Sequence, residues 1–299
     1  MSIDRLAPAL FVFLWSTGWI AAKFADQYAD PLTFLALRYG TAAILFAAVA
    51  LAAGVAFPKG GIDRVHALVS GMLLHGFYLG CVWWAIGQGV PAAISGIIAG
   101  LQPLMTAVAA HLMIDERLTA GQRAGLGLGF CGIAIAVLPN VLAGGAGSIP
   151  AFPAAVNVIG MVFVSVATVY QKKYLKTGDL RAVAALQYVG AFAVTLPAAW
   201  LLEPMHVSFG LGFFAVLAWS VVGISMGAVA VLLYLIRRGQ VSRAASLIYL
   251  VPPLAALEAL IAFGEPLTPA MIAGMVVTAL GVWLVNRKGR AEPKETAPA

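Results

Sequence analysis

The chain has 299 residues, of which 62% are hydrophobic and only 10% charged, with a net charge of +6. Soluble domains carry about 25% charged residues, so long apolar runs at this charge level exclude a large soluble core and indicate membrane helices. The basic residues sit at the ends of apolar runs rather than in one patch, which excludes a nucleic-acid surface.

Ten apolar segments run in order, at about 6–26, 31–54, 65–87, 91–113, 120–138, 153–174, 181–202, 208–236, 241–263 and 268–286. Each is close to the ~20 residues needed to span hydrocarbon. The first is read as a membrane segment rather than a signal peptide, because Trp15 and Trp19 stand where a small-residue cleavage site would come next. Segments 4 and 9 carry Pro103 and Pro252–Pro253, which predict kinks. Thr119 with Gln122 predicts a capping box, and Thr268–Pro269 predicts an N-cap followed by Pro at the first helical position. Cys81 and Cys131 lie inside apolar runs and form neither a CxxC pair nor a disulfide framework. The tail over 287–299 turns basic and then rich in Pro, Glu, Thr and Ala, and is expected to be a disordered cytoplasmic end.

Sixteen of the eighteen Lys and Arg residues fall at the N-terminus, after segments 2, 4, 6 and 8, or at the C-terminus. Only Lys23 lies on the other side, and Arg38 falls within segment 2. The positive-inside rule therefore places both termini in the cytoplasm.

The sequence also repeats. The stretch from Gly89 to Val137 recurs from Gly239 to Val285, with Pro103, Glu116, Thr119, Gly125 and Gly132 matching Pro253, Glu265, Thr268, Gly274 and Gly281. At an offset of 149, Ser16 meets Ser165, Lys23 meets Lys172 and Tyr39 meets Tyr188. Each half, 1–149 and 150–286, thus holds five segments. An odd number makes the halves cross the membrane in opposite senses, so the expected fold is an all-α integral membrane protein of ten transmembrane helices in two inverted five-helix repeats.

Several polar residues on these segments are candidates for a central site. Asn157, Ser165, Thr168 and Lys172 share one helical face of segment 6, and Ser16, Trp19 and Lys23 the matching face of segment 1. Lipid offers such groups no partners, so they face protein or a cavity. His75 and Tyr78 share a face about 15 Å deep in segment 3 by helix rise. Trp83, Trp84 and His111 sit nearer segment ends and are read as interfacial anchors. Gln102, Pro103, Thr106, Ser246, Tyr249 and Pro253 surround the two proline kinks, whose freed carbonyls could bind ligand. Arg38 and Glu258 are intramembrane charges whose repeat mates are uncharged, which leaves structural and ligand-binding roles both open. The Gly76–Gly80, Gly96–Gly100 and Gly125–Gly129 pairs are read as helix contacts.

The ordered set of WSTGWIAAKF, DPLTFLALRY and the ERLT and GEPLT turns resembles the EamA type of the drug/metabolite transporter superfamily over residues 6–286. DERLT departs from the second copy's GE-x-LT, which is expected to touch turn geometry more than function. The resemblance implies a multi-pass bacterial inner-membrane exporter of amino acids or similar metabolites. It also implies a cavity lined by segments 1, 3, 4, 6, 8 and 9, with 2, 5, 7 and 10 outside, making Arg38 peripheral.

Trp15, Trp19, Tyr78 and Tyr249 tilt the expected substrate towards aromatic amino acids. Export of drugs or other metabolites is the alternative within that class. An intramembrane enzyme acting on lipid or peptide would need His75 as base beside Ser16 or Ser165, and the chain lacks HExxH, Walker A, Rossmann and GxSG motifs. A channel or sensor is a third class. Partners are a small-molecule substrate and the lipid bilayer, with a homo-oligomer left open; neither cofactor nor metal is expected. Proton coupling through His75 or Glu258 stands against facilitated diffusion or exchange, the latter favoured because Glu258 has no symmetric partner.

Overall fold

The computed structural model describes residues 3–116, 118–143, 148–175, 178–237 and 250–286. Among these residues the chain is all-helical, apart from a single β-bridge between Ala29 and Val207. In chain order the helices are α1 (Ile3–Ala25), α2 (Pro31–Ala52), α3 (Gly61–Gly87), α4 (Ala92–Ile114), α5 (Ala120–Leu142), α6 (Ala151–Tyr174) and α7 (Leu180–Leu202). Then come α8 (Leu211–Ala218 continuing through Trp219–Gly227 and Ala228–Arg237), α9 (Val251–Phe263) and α10 (Pro269–Asn286). Eight are long and apolar enough to cross a bilayer among the described residues; Leu211–Gly227 and Val251–Phe263 are shorter apolar helices. The first half of the expected segment 9 lies outside the described residues.

The sequence signals at the helix ends take effect as local chemistry predicts. Thr119 Oγ1 accepts the Gln122 N–H at 3.2 Å while the Gln122 side chain accepts the Thr119 N–H at 2.9 Å, closing the capping box of α5. Thr268 Oγ1 accepts the Met271 N–H at the start of α10. The helices that run into the two matched turns end alike. Gln102–Ile114 and Val251–Phe263 correspond residue for residue at the offset of 149, and each stops at a left-handed residue, Asp115 (φ 55°) and Gly264 (φ 67°). The next N–H groups, of Glu116 and Glu265, then reach back to the carbonyls of Ala110 and Ala259. The DERLT departure therefore leaves the turn geometry intact: Asp tolerates the left-handed region that Gly adopts freely.

Those turns deliver two matched ion pairs. Glu265 pairs with Lys23 in the last turn of α1 and accepts the Ala92 and Ala93 N–H groups at the start of α4. Glu116, just past the end of α4, pairs with Lys172 in the last turn of α6. The pairs thus stand at opposite ends of α4. At the Lys23 end, Glu203 likewise accepts the Leu32 and Thr33 N–H groups at the start of α2. Burial lifts the Glu203 carboxyl above its ordinary range, against the opposing pull of those hydrogen bonds.

Glycines set how closely the helices approach. α5 and α10 run antiparallel along a seam in which Gly125 lies at Gly281 and Val285, and Gly132 at Gly274 and Thr278. A Cβ on Gly281 would lie 2.4 Å from the Gly129 nitrogen, whereas Gly127 faces open space. Gly281→Ala is therefore expected to cost about 1–3 kcal/mol, while Gly127→Ala gains up to about 1 kcal/mol of helix propensity. Thermal unfolding of the two variants in detergent should move in opposite directions.

Candidate functional site

Two cavities lie among the helices and share Trp15 and Trp19 of α1. The larger, about 690 Å³, is walled by α4, α5, α6, α9 and α10, with Gln102, Pro103, Thr106, Thr168, Thr278 and Asn286 as its polar or kink-forming lining beside Pro252 and Pro253. The smaller, about 120 Å³, is bordered by Arg38, His75, Tyr78, Trp83, Tyr188 and Ser225.

The interrupted helices position these residues. In α4 a tighter turn over Ala99–Leu101 precedes Pro103. Proline cannot donate to the carbonyl four residues back, yet the Gln102 N–H takes up the Ala99 carbonyl. The kink at Pro103 therefore frees no carbonyl at Ala99, contrary to the expectation from sequence. α3 and α8 each contain a wide π-type stretch, Met72–Phe77 and Trp219–Gly227, at corresponding positions of the two halves. Such stretches add a residue to a turn and shift the helical register beyond it. They carry His75 on one side and Ile224 and Ser225 on the other to the smaller cavity. The His75 carbonyl accepts the Tyr39 hydroxyl at 2.8 Å, and its ring stacks on Tyr188 at 4.5 Å.

The sequence-derived candidates divide. Trp15 and Trp19 border both cavities; Gln102, Pro103, Thr106, Thr168 and Pro253 border the larger; His75, Tyr78 and Arg38 border the smaller. Ser16, Asn157 and Ser165 line neither and are fully buried or nearly so. Ser16 Oγ donates to Glu258 Oε1 at 2.8 Å, Asn157 Nδ2 to Ser95 Oγ at 2.6 Å, and Ser165 Oγ to the Gln102 carbonyl at 3.2 Å. Their shared faces are thus interhelical contacts, and only Thr168 of the α6 stripe reaches the larger cavity. Ser246 and Tyr249 lie outside the described residues. Glu258 borders neither cavity, and its Oε2 has no hydrogen-bond partner.

Three expectations need correcting. Trp83 is not an interfacial anchor: it is 2% exposed, stacked on Phe34 and beneath the Arg38 guanidinium at 5.5 Å. Arg38 is not peripheral: it is 3% exposed and faces the smaller cavity. The cavities are not confined to segments 1, 3, 4, 6, 8 and 9, since Arg38 of α2, Tyr188 of α7, Ile133 of α5 and Thr278 of α10 contribute lining. Tyr188 could have been found as the repeat mate of Tyr39, whose ring lies 5.9 Å away. Nothing in the local sequence marks Ser225 or Thr278.

Chemically the site is equipped to bind. Arg38 Nη2 donates to Ser225 Oγ at 3.1 Å, while its Nε has no partner. None of the ion pairs among the described residues includes Arg38. Among the same residues no group of three His, Cys, Asp or Glu side chains could hold a metal. The base and nucleophiles an enzyme would need are engaged with other partners: His75 stacks on Tyr188, Ser16 donates to Glu258 and Ser165 to the Gln102 carbonyl. In a background lacking Cys81 and Cys131, cysteines at Thr106 and Thr168 should react with a small water-soluble thiol reagent. Those at Asn157 and Ser165 should stay unmodified on the same timescale, which mass spectrometry of the labelled protein would read directly.

Comparison with known proteins gives the family and the shared fold. The EamA-like transporter family matches twice, over residues 6–138 and 153–287. The uncharacterized transporter YvbV of Bacillus subtilis is 27% identical over 96% of this chain and 92% of its own. An uncharacterized transporter of Archaeoglobus fulgidus is 21% identical over 94% of this chain and 97% of its own. The chloroplastic WAT1-related protein At3g02690 of Arabidopsis thaliana is 25% identical, covering 92% of this chain and 67% of its own. One solved crystal structure superposes with a TM-score of 0.64 at 22% identity, over 97% of this chain and 99% of that one, which establishes the shared fold. The relatives that carry an activity in their names are transporters, not enzymes. The chain is a multi-pass membrane protein and belongs to the EamA-like transporter family.

Proposed function

We propose that this transporter exports amino acids, aromatic ones among them, or related small metabolites across a bacterial inner membrane by alternating access. In this reading residues 1–149 and 150–286 are two inverted repeats of five spanning helices each. Both termini are cytoplasmic; residues 287–299 lie outside the described residues. The observation that carries the proposal is the pair of corresponding ion pairs at opposite ends of α4, Lys23–Glu265 and Lys172–Glu116, each joining a lysine of one half to a glutamate of the other. Exchange of the halves converts one pair into the other, and the antiparallel course of the mates α5 and α10 supports the same relation. A cavity between such halves can open to either side when one half rocks against the other.

The aromatic lining by Trp15, Trp19 and Tyr78 supports aromatic amino acids as substrates. The size and largely apolar lining of the larger cavity support the second reading, export of drugs or other apolar metabolites. Facilitated diffusion or exchange is the coupling mode we favour: Glu258 borders neither cavity, and His75, which borders the smaller one, has its ring stacked on Tyr188 beside the Arg38 cation.

Proteoliposomes loaded with labelled phenylalanine, tryptophan or leucine test the reading. Downhill efflux is expected, faster for the aromatic substrates, and reduced roughly 2- to 10-fold by Trp19→Ala through loss of ring contacts. Uphill movement driven by a pH gradient alone would replace the facilitator with a proton-coupled mechanism. A reporter fused after Asn286 should be active only in the cytoplasm, and a tag inserted between residues 143 and 148 accessible only outside.

A further inference from the structure

We propose that the smaller cavity is an anion subsite in which Arg38 holds the carboxylate of the transported molecule, while the body of that molecule occupies the larger cavity beyond Trp15 and Trp19. This deepens the export reading and rests on it for the word transported; the site itself stands on the geometry.

A guanidinium that is 3% exposed and lies about 10 Å along a spanning helix needs partners for its donors and compensation for its charge. Arg38 donates to Ser225 Oγ, has the Tyr188 hydroxyl as a further polar neighbour, and lies over the face of Trp83. Its Nε–H has no acceptor and no described ion pair neutralises it. A second buried donor on the same cavity is in the same state: the indole N–H of Trp19, a residue 4% exposed, has no partner. Both side chains border the small chamber, though the two unpartnered nitrogens are themselves enclosed, and a buried cation there without a described carboxylate partner asks for a ligand with acceptor oxygens and a negative charge. The planar fork of a guanidinium matches a carboxylate in both respects.

The dimensions assign the rest. Small-molecule sites commonly occupy about 300–1,000 Å³. At about 120 Å³ the Arg38 chamber is too small for a whole ligand of that class, and at about 690 Å³ its neighbour is large enough. Trp15 and Trp19 border both, so a molecule with its head on Arg38 passes its apolar body across two indoles. The substrate class is therefore an amphipathic organic anion with an apolar or aromatic body, which includes amino acids but does not require an ammonium group. Among the described residues no acidic side chain borders either chamber to recognise one.

The full chain in lipid nanodiscs, probed with 3-phenylpropionate and its uncharged analogue 3-phenylpropanol, tests this. The carboxylate should bind about 10- to 100-fold more tightly than the alcohol, as expected of a charge-assisted hydrogen bond. Arg38→Gln should bring the carboxylate down to about the affinity of the alcohol; an unchanged circular dichroism spectrum and size-exclusion profile show that the variant is folded. Arg38→Lys should restore part of the preference, and Trp19→Phe should weaken the carboxylate more than the alcohol. Equal binding of the two probes to the wild type, undetectable carboxylate binding, or an Arg38→Gln variant that keeps the preference would each overturn the proposal. Competition by chloride or inorganic phosphate as strong as that by 3-phenylpropionate would also overturn it, in favour of a simple counter-ion site. The export reading fails separately: proteoliposomes that release no amino acid while the carboxylate preference holds would leave the subsite standing. Amino-acid efflux unchanged in Arg38→Gln would remove the subsite and leave export standing.

Discussion

Hydrocarbon supplies no hydrogen-bond partner, and the arrangement of this chain depends on that constraint. Backbone groups must close within helices, and two departures from regular helix show how their carbonyls find partners. The tight turn before Pro103 is closed by the Gln102 N–H, and the wide turn over Met72–Phe77 presents its His75 carbonyl to the Tyr39 hydroxyl. Polar side chains obey the same requirement. Asn157 finds Ser95, Gln187 finds Ser70 and Ser16 finds Glu258, each across a helix boundary. Seven buried side-chain atoms among the described residues are nonetheless left without a partner, and of the residues that carry them Arg38 is the one with a fixed positive charge.

Helix packing separates a scaffold from a lining. α5 and α10 meet through glycines with backbone close to backbone, leaving no space between them to rearrange. α2 and α7 join through rings instead, with Tyr39 and Phe46 of α2 both against Tyr188 of α7. The helices with interrupted geometry, α3, α4 and α8, supply much of the lining, most of it at the smaller cavity, while α10 adds seven residues to the larger. Rigid contacts made by the smallest residues thus hold the frame within which the kinked helices present their side chains.

Much of this was legible in the sequence because it depends on local chemistry. The spans come from hydropathy, the α5 capping box from Thr119 and Gln122, and the two matched turns from glutamates at a fixed spacing after a proline. The site was legible only in part. Helical periodicity showed correctly that Asn157, Ser165 and Thr168 share a face, but periodicity does not say which neighbour covers it, and Ser95 and the Gln102 carbonyl take up the first two. Depth along a helix misled in the same manner for Trp83: nearness to a helix end suggested an interface, whereas Phe34 and Arg38 enclose it. Arg38 itself was visible as a charge, but its environment depends on Ser225, a residue 187 positions away that no local pattern connects to it.

The two end-to-end ion pairs correspond in sequence but not in environment. Lys23 and Glu265 are 34% and 9% exposed, with the carboxylate also bound to two amide groups, while Lys172 and Glu116 are 63% and 53% exposed. Dissolved ions weaken attraction between exposed charges over a screening length of about 8 Å at physiological strength, and act far less on enclosed ones. Ionic strength therefore addresses the two faces of the bilayer unequally. A rise in salt loosens the Lys172 clasp and leaves the Lys23 clasp nearly as it was, so the ionic strength of the medium acts on one end of the protein and hardly on the other.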